Sequence, residues 1–101
     1  EKTVRTKACT GNNIVIFGAS ALGKAAYEIY KGKADVRFFC DNDKNKWGTK
    51  INGIEIVSPD LLTTLEMDFD VIIASMYYEE IRKQLINMGI DRYKIFFVNT
   101  L

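Results

Sequence analysis

Four short apolar blocks, at residues 14–17 (IVIF), 36–40 (VRFFC), 71–74 (VIIA) and 95–98 (IFFV), punctuate the chain, and segments with helical spacing separate them. The blocks are rich in β-branched and aromatic residues and scarcely alternate with polar ones, the pattern of parallel strands covered on both faces. After the first block, Leu22, Ala25, Ala26, Ile29 and Tyr30 fall at i, i+3, i+4, i+7 and i+8. Tyr78, Ile81, Leu85 and Met88 repeat that stripe before Gly89, a C-terminal stop. Both segments are expected to be helices. In "SPDLLTTL", Ser58 as N-cap, Pro59 at the first helical position and Asp60 in the first turn predict a short helix over 59–65. "INGIEIV" reads as a short strand with a bend at Asn52 and Gly53. The order βαββαβαβ with right-handed crossovers predicts an α/β, three-layer, doubly wound parallel sheet of about five strands in the order 3-2-1-4-5.

A chain of 101 residues, 48% hydrophobic, fills one core and falls below the size at which chains divide. One domain over 14–101 is expected, preceded by a polar, aperiodic N-terminal arm at 1–13. The 14 basic and 13 acidic residues are mixed along the chain, which predicts that nucleic acid is not a partner. No apolar run approaches the roughly 20 residues of a membrane span, and the first residues lack the apolar core of a signal peptide. Cys9 and Cys40 form no metal-binding or disulfide spacing, which fits a reducing cytoplasmic setting. The absence of histidine removes the commonest zinc ligand and the commonest general base.

Chemistry concentrates where the first block meets the first helix. "GASALG" carries glycines at 18 and 23 between a strand and a helix, the dinucleotide fingerprint G-x-G-x-x-G with Ser20 at the middle position. Gly18 suits the tight turn and Gly23 the contact of helix with sheet. Ser20 keeps the loop small and adds a hydroxyl, and the amides opening the helix favour an anion. Asp41 follows Gly18 by 23 residues, at the end of the second strand, where a carboxylate can accept from ribose hydroxyls. Lys44 and Lys46 offer the alternative of holding a 2′-phosphate, so both NAD and NADP stay open. The candidate binding set is Gly18, Ala19, Ser20, Ala21, Leu22, Gly23, Asp41, Asn42 and Ser75, the last after the fourth strand beside Tyr77. Asp43 is expected to be a solvated loop residue.

Two further patterns are set aside. Tyr27 and Lys31 have the Y-x-x-x-K spacing of a dehydrogenase pair, yet lie on the helix directly after the glycine loop, where a packed tyrosine and a solvated lysine are expected. "DNDKN" copies the start of a calcium loop, but Lys46 replaces its glycine and Asn52 its bidentate glutamate. No catalytic residue and no metal ligand is assigned.

The succession "IVIFGASALGKAAYEI", "VRFFCDNDKNKWGTKINGIEIVSPDLL", "FDVIIAS" and "EEIRKQLINMGI" resembles the Rossmann-like domain that precedes the catalytic part of bacterial nucleoside-diphosphate-sugar epimerases and dehydratases of polysaccharide biosynthesis. Similar modules adjoin glycosyltransferases and sugar methyltransferases. The resemblance implies an accessory module, with a nucleotide or nucleotide sugar and the remainder of a larger parent chain as its partners and the chemistry elsewhere in that chain. The alternatives are a structural or interaction domain of the same fold, or a small NAD(P)-dependent oxidoreductase.

Overall fold

The computed structural model describes residues 12–97. The strands are β1 (Asn13–Phe17), β2 (Asp35–Cys40), β3 (Lys50–Ile51), β4 (Ile54–Val57), β5 (Asp70–Ile73) and β6 (Tyr93–Ile95), and the helices are α1 (Ala21–Tyr30) and α2 (Tyr78–Asn87). They form one sheet in the order β3-β4-β2-β1-β5-β6. All pairings are parallel except β3 with β4. The expected order 3-2-1-4-5 is this arrangement with one antiparallel edge strand added. "INGIEIV" is a hairpin, not a single strand, because Asn52 (φ 52°) and Gly53 (φ 79°) both take left-handed backbone and turn the chain in two residues.

The side chains of β1 sort by parity into two layers. Val15 and Phe17 join Cys40, Val71 and Ile73 in a core closed by Ile81 and Leu85 of α2 and by Leu62. Ile14 and Ile16 join Phe39, Ile56 and Ile72 beneath Ala26 of α1. Period-2 strands between helices thus produce the three layers. β1 and β5 are nearly continuously buried, as the apolar blocks predict, whereas the first half of β2 alternates exposed and half-buried positions. There the ladder slips between Ile14 and Val15, which pair with Val36 and Phe38 and leave Arg37 without a cross-strand partner on β1.

Three local expectations change. The segment after Ser58 is a 3-10 helix, Pro59–Thr64, capped by the Ser58 hydroxyl, which accepts from the Asp60 amide at 3.2 Å. The hydroxyls of Thr63 and Thr64 donate back to the carbonyls of Asp60 and Leu61, at 2.9 and 2.7 Å, and hold the tight winding. The last strand begins two residues earlier than its apolar block, because its register with β5 pairs Tyr93 with Val71 and Ile95 with Ile73. Val98 and residues 1–11 of the expected arm lie outside the described residues, and Asn13 already belongs to β1.

Candidate functional site

The chain leaves β1 for β2 on one side and reaches β5 on the other, so the carboxyl ends of β1, β2 and β5 enclose a crevice at the topological switch point. Two adjoining clefts occupy it and share Gly18, Asp41, Ser75 and Tyr77. The one beside α1, of about 420 Å³, also meets Ser20, Ala21, Leu22, Asp43 and Lys46. The one beside α2, of about 300 Å³, meets Asn42, Glu80 and Ile81.

Both fingerprint glycines are demanded by close approach. Gly18 takes φ 123°, and a Cβ there would collide with the carbonyl of Ala74, across the junction where β1 meets β5. A Cβ on Gly23 would collide with the carbonyl of Gly18, so the first turn of α1 sits directly on the loop. Gly23 is buried and supports the crevice from below. The loop is pinned at its base by hydrogen bonds from the Gly18 amide to the Cys40 carbonyl and from the Ala74 amide to the Phe17 carbonyl, each 2.8 Å.

Asp41 turns back onto this loop. Its Oδ2 accepts from the Ala19 amide at 2.8 Å and its Oδ1 from the Asp43 amide at 2.8 Å. Its carbonyl accepts from the Trp47 indole at 2.7 Å. Asp43 in turn caps the 3-10 turn Lys44–Lys46 by accepting from the Asn45 amide; it is an exposed loop residue, as expected, and also lines the edge of the cleft. The turn swings Lys46 inward: its ammonium donates to Ser20 Oγ at 2.9 Å and to the Ala19 carbonyl at 3.2 Å, and lies 3.9 Å from Asp41 Oδ2. Among the described residues lining this cleft, Lys46 carries the positive charge and Asp41 and Asp43 the negative.

On the other flank, Asn42 and Gln84 exchange a reciprocal pair of amide hydrogen bonds, 3.0 and 2.9 Å, that tie the end of β2 to α2. Ser75 Oγ accepts from the Tyr77 amide at 3.0 Å and shapes the turn into α2, leaving Met76 and Tyr77 83% and 70% exposed at the rim. Of the candidate set, Gly18, Ser20, Ala21, Leu22, Asp41, Asn42 and Ser75 line the two clefts, while Ala19 and Gly23 are buried beneath them. Trp47, Gln84 and Glu80 escaped the sequence reading. The D-x-N pattern of Asp43 and Asn45 is a turn cap that signals the reversal bringing Lys46 and Trp47 back over Asp41. Nothing local in "RKQL" points Gln84 at Asn42.

The two discounted patterns have plain packing roles. Tyr27 is half-buried against Phe39, with ring centroids 6.1 Å apart, and Lys31 is a surface residue paired with Glu28 at 2.8 Å. The Glu28 carboxylate raises the Lys31 pKa. In the calcium-like segment, both carboxylate oxygens of Asp41 and Oδ1 of Asp43 accept from backbone amides.

A family model described as C2185-like, N-terminal, matches residues 10–96. The chain belongs to this family. No curated protein matches this C2185-like domain. Among solved structures it is similar to RSP, a Rex-family repressor. The complex of RSP with β-NADH is 21% identical with a TM-score of 0.64, over 90% of this chain and 48% of that one. The complex with β-NAD⁺ and operator DNA is 19% identical with a TM-score of 0.62, over 88% and 51%. UDP-D-quinovosamine 4-dehydrogenase from Vibrio fischeri is 19% identical with a TM-score of 0.63, over 91% and 81%. At these identities the likeness establishes a Rossmann-like fold, and the C2185-like domain spans about half the length of the Rex-family chains.

The operator complex corrects the expectation that nucleic acid is not a partner. A protein with a domain of this fold is bound to DNA there. The mixed charge of one domain does not limit what a longer protein contacts, since affinity for DNA depends on where basic groups cluster and not on a domain's net charge. Among the described residues, no helix is long and apolar enough to cross a membrane.

Proposed function

We propose that the C2185-like domain binds a nucleotide, NAD(H) or NADP(H) or a nucleotide sugar, in the crevice at the carboxyl ends of β1, β2 and β5. The observation that carries this reading is the convergence of Gly18, Ser20, Asp41, Lys46 and Ser75, drawn from three separate connections, on one crevice at the switch point. The reading draws support from the NADH and NAD⁺ complexes of RSP and from a UDP-sugar dehydrogenase of the same fold. In this proposal the domain is an accessory module of a larger, cytoplasmic, carbohydrate-modifying protein. Bond-making chemistry belongs to the rest of that protein, because the chain has no histidine and neither Tyr27, packed on Phe39, nor Lys31, paired with Glu28, lines the crevice.

The test is a titration with NADH, NADPH, ADP-ribose, CoA and UDP-sugars followed by backbone NMR. The amides of residues 18–23 and of Ser75 are expected to shift together for a nucleotide. Resonances unmoved by every ligand at millimolar concentration would leave a purely structural domain.

A further inference from the structure

Ser20 stands where the dinucleotide fingerprint has its middle glycine, the position through which backbone approaches a pyrophosphate. Its side chain makes no cap bond to α1. Its oxygen accepts instead from the Lys46 ammonium at 2.9 Å. A hydroxyl that accepts one proton still carries its own, and a neighbouring cation polarises that O–H into a stronger donor. Lys46 is held in place by two more contacts, the Ala19 carbonyl at 3.2 Å and Asp41 Oδ2 at 3.9 Å, with its side chain 32% exposed. Both residues line the cleft of about 420 Å³, where Asp41 and Asp43 would otherwise repel an anion. An acidic cleft accepts a phosphate group only beside a cation placed to offset it.

We propose that Ser20 and Lys46 form a coupled phosphate-recognition pair, in which the Ser20 hydroxyl donates to a phosphate oxygen and Lys46 orients that hydroxyl and offsets the incoming charge. This rests on the nucleotide-binding reading and deepens it. A side-chain contact replaces the backbone approach that glycine permits, and the ligand class is one bearing a phosphoanhydride, not a neutral nucleoside. Lys46 faces the loop and so reads the diphosphate; a 2′-phosphate beyond Asp41 is not its target.

The experiment titrates the full chain and its variants with ADP-ribose, inorganic pyrophosphate and adenosine, following amide resonances and the emission of Trp47. Lys46→Met is expected to weaken ADP-ribose and pyrophosphate about ten- to a hundredfold, the range for hydrogen bonds to charged groups, and to leave adenosine unchanged. It also flattens the salt dependence of pyrophosphate binding. Ser20→Ala is expected to weaken the phosphate ligands roughly fivefold in the native background and hardly at all beside Lys46→Met, the non-additivity of a coupled pair. Lys46→Arg retains most of the affinity. Lys46→Gln, which keeps a donor for Ser20 without the charge, replaces Lys46→Met should the latter unfold.

Variants that lower the thermal midpoint but leave both phosphate ligands unaffected reduce the pair to a loop tie and overturn the proposal, as do strictly additive losses. A native chain that binds pyrophosphate through Lys46 but not ADP-ribose keeps the pair and defeats the nucleotide reading. A native chain that binds ADP-ribose with no dependence on Lys46 does the reverse. A chain that binds neither ligand at millimolar concentration defeats both.

Discussion

The backbone amide of Ala19 donates to Asp41 Oδ2 at 2.8 Å, so the carboxylate at the end of β2 holds the glycine loop at the end of β1. Asp41 also accepts from the Asp43 amide, and its side chain is only 17% exposed. Removing the acceptor leaves the Ala19 amide, in a residue 6% exposed, without its partner.

Asp41→Ala is therefore expected to cost about 1 to 3 kcal/mol of stability, the range for an unsatisfied buried group, measured by urea denaturation. Asp43→Ala removes one exposed bond, to the Asn45 amide, and is expected to cost about 0.5 to 1.5 kcal/mol. For ligands the contrast is sharper. If Asp41 mainly holds the loop, its loss weakens pyrophosphate and adenosine ligands alike; a residue that only reads ribose would spare pyrophosphate. Unchanged pyrophosphate binding in Asp41→Ala would restore the ribose role as its main one.

Gly18→Ala and Gly23→Ala are expected to destabilise by about 1 to 3 kcal/mol each, since the added methyl meets backbone that cannot swing aside, and Gly18 adds the strain of φ 123°. Gly32 provides the contrast, because its Cβ position is open and its φ is not positive. Gly32→Ala is expected to be neutral or to stabilise by about 0.4 to 1 kcal/mol through the unfolded chain. Thermal melts of the three variants separate packing from glycine content. Similar losses at all three positions would refute the steric account.

How much of this could be read from the chain depends on how local each determinant is. Strands β1 and β5, helices α1 and α2 and the Gly18 turn are written in side-chain period and turn residues, and they fall where the pattern puts them. The spacing of Gly18 and Asp41 likewise brought a loop and a carboxylate to one crevice. Boundaries set by a partner strand were not legible: β6 starts at Tyr93 because β5 fixes its register, whereas the apolar block begins only at Ile95, the last residue of the strand. β3, two residues long, exists only as the other arm of a hairpin. The same holds at the site. That Asp41 faces Ala19, and Lys46 faces Ser20, is decided by strand order and by a 3-10 turn, so the residue types were visible but the directions of their side chains were not.

Asn42 and Gln84 lie 42 positions apart and join two elements that flank the cleft. Their reciprocal geometry predicts a coupling of about 0.5 to 1.5 kcal/mol in a double-mutant cycle of Asn42→Ala and Gln84→Ala, measured by urea denaturation. Additive losses would mean that solvent replaces the pair without penalty. Hydrogen exchange in the second half of α2, around Gln84, is expected to quicken in either single variant, because the tie to the end of β2 is then broken.

Cys40 links the sheet to the loop from inside, and its chemistry gives a pH signature. The thiol is fully buried at the end of β2, and that burial, with the neighbouring Asp41 carboxylate second, pushes its pKa well above the ordinary value of 9.0. In the unfolded chain the thiol ionises at its ordinary value, while in the folded domain it keeps its proton. Below that value both states are protonated and the thiol does not make stability depend on pH. Above it the unfolded state binds fewer protons, so stability declines as pH rises toward the folded pKa, with a slope of at most one proton. Urea denaturation from pH 7 to 10 is expected to show this decline in the native chain, and Cys40→Ala is expected to remove that component. The same burial predicts inertness. In a Cys9→Ser background, which leaves Cys40 as the single thiol, an aromatic disulfide reagent at pH 8 is expected to react only as fast as the domain opens. Rapid labelling of the folded chain would show that the end of β2 opens readily, and with it the anchor of Asp41.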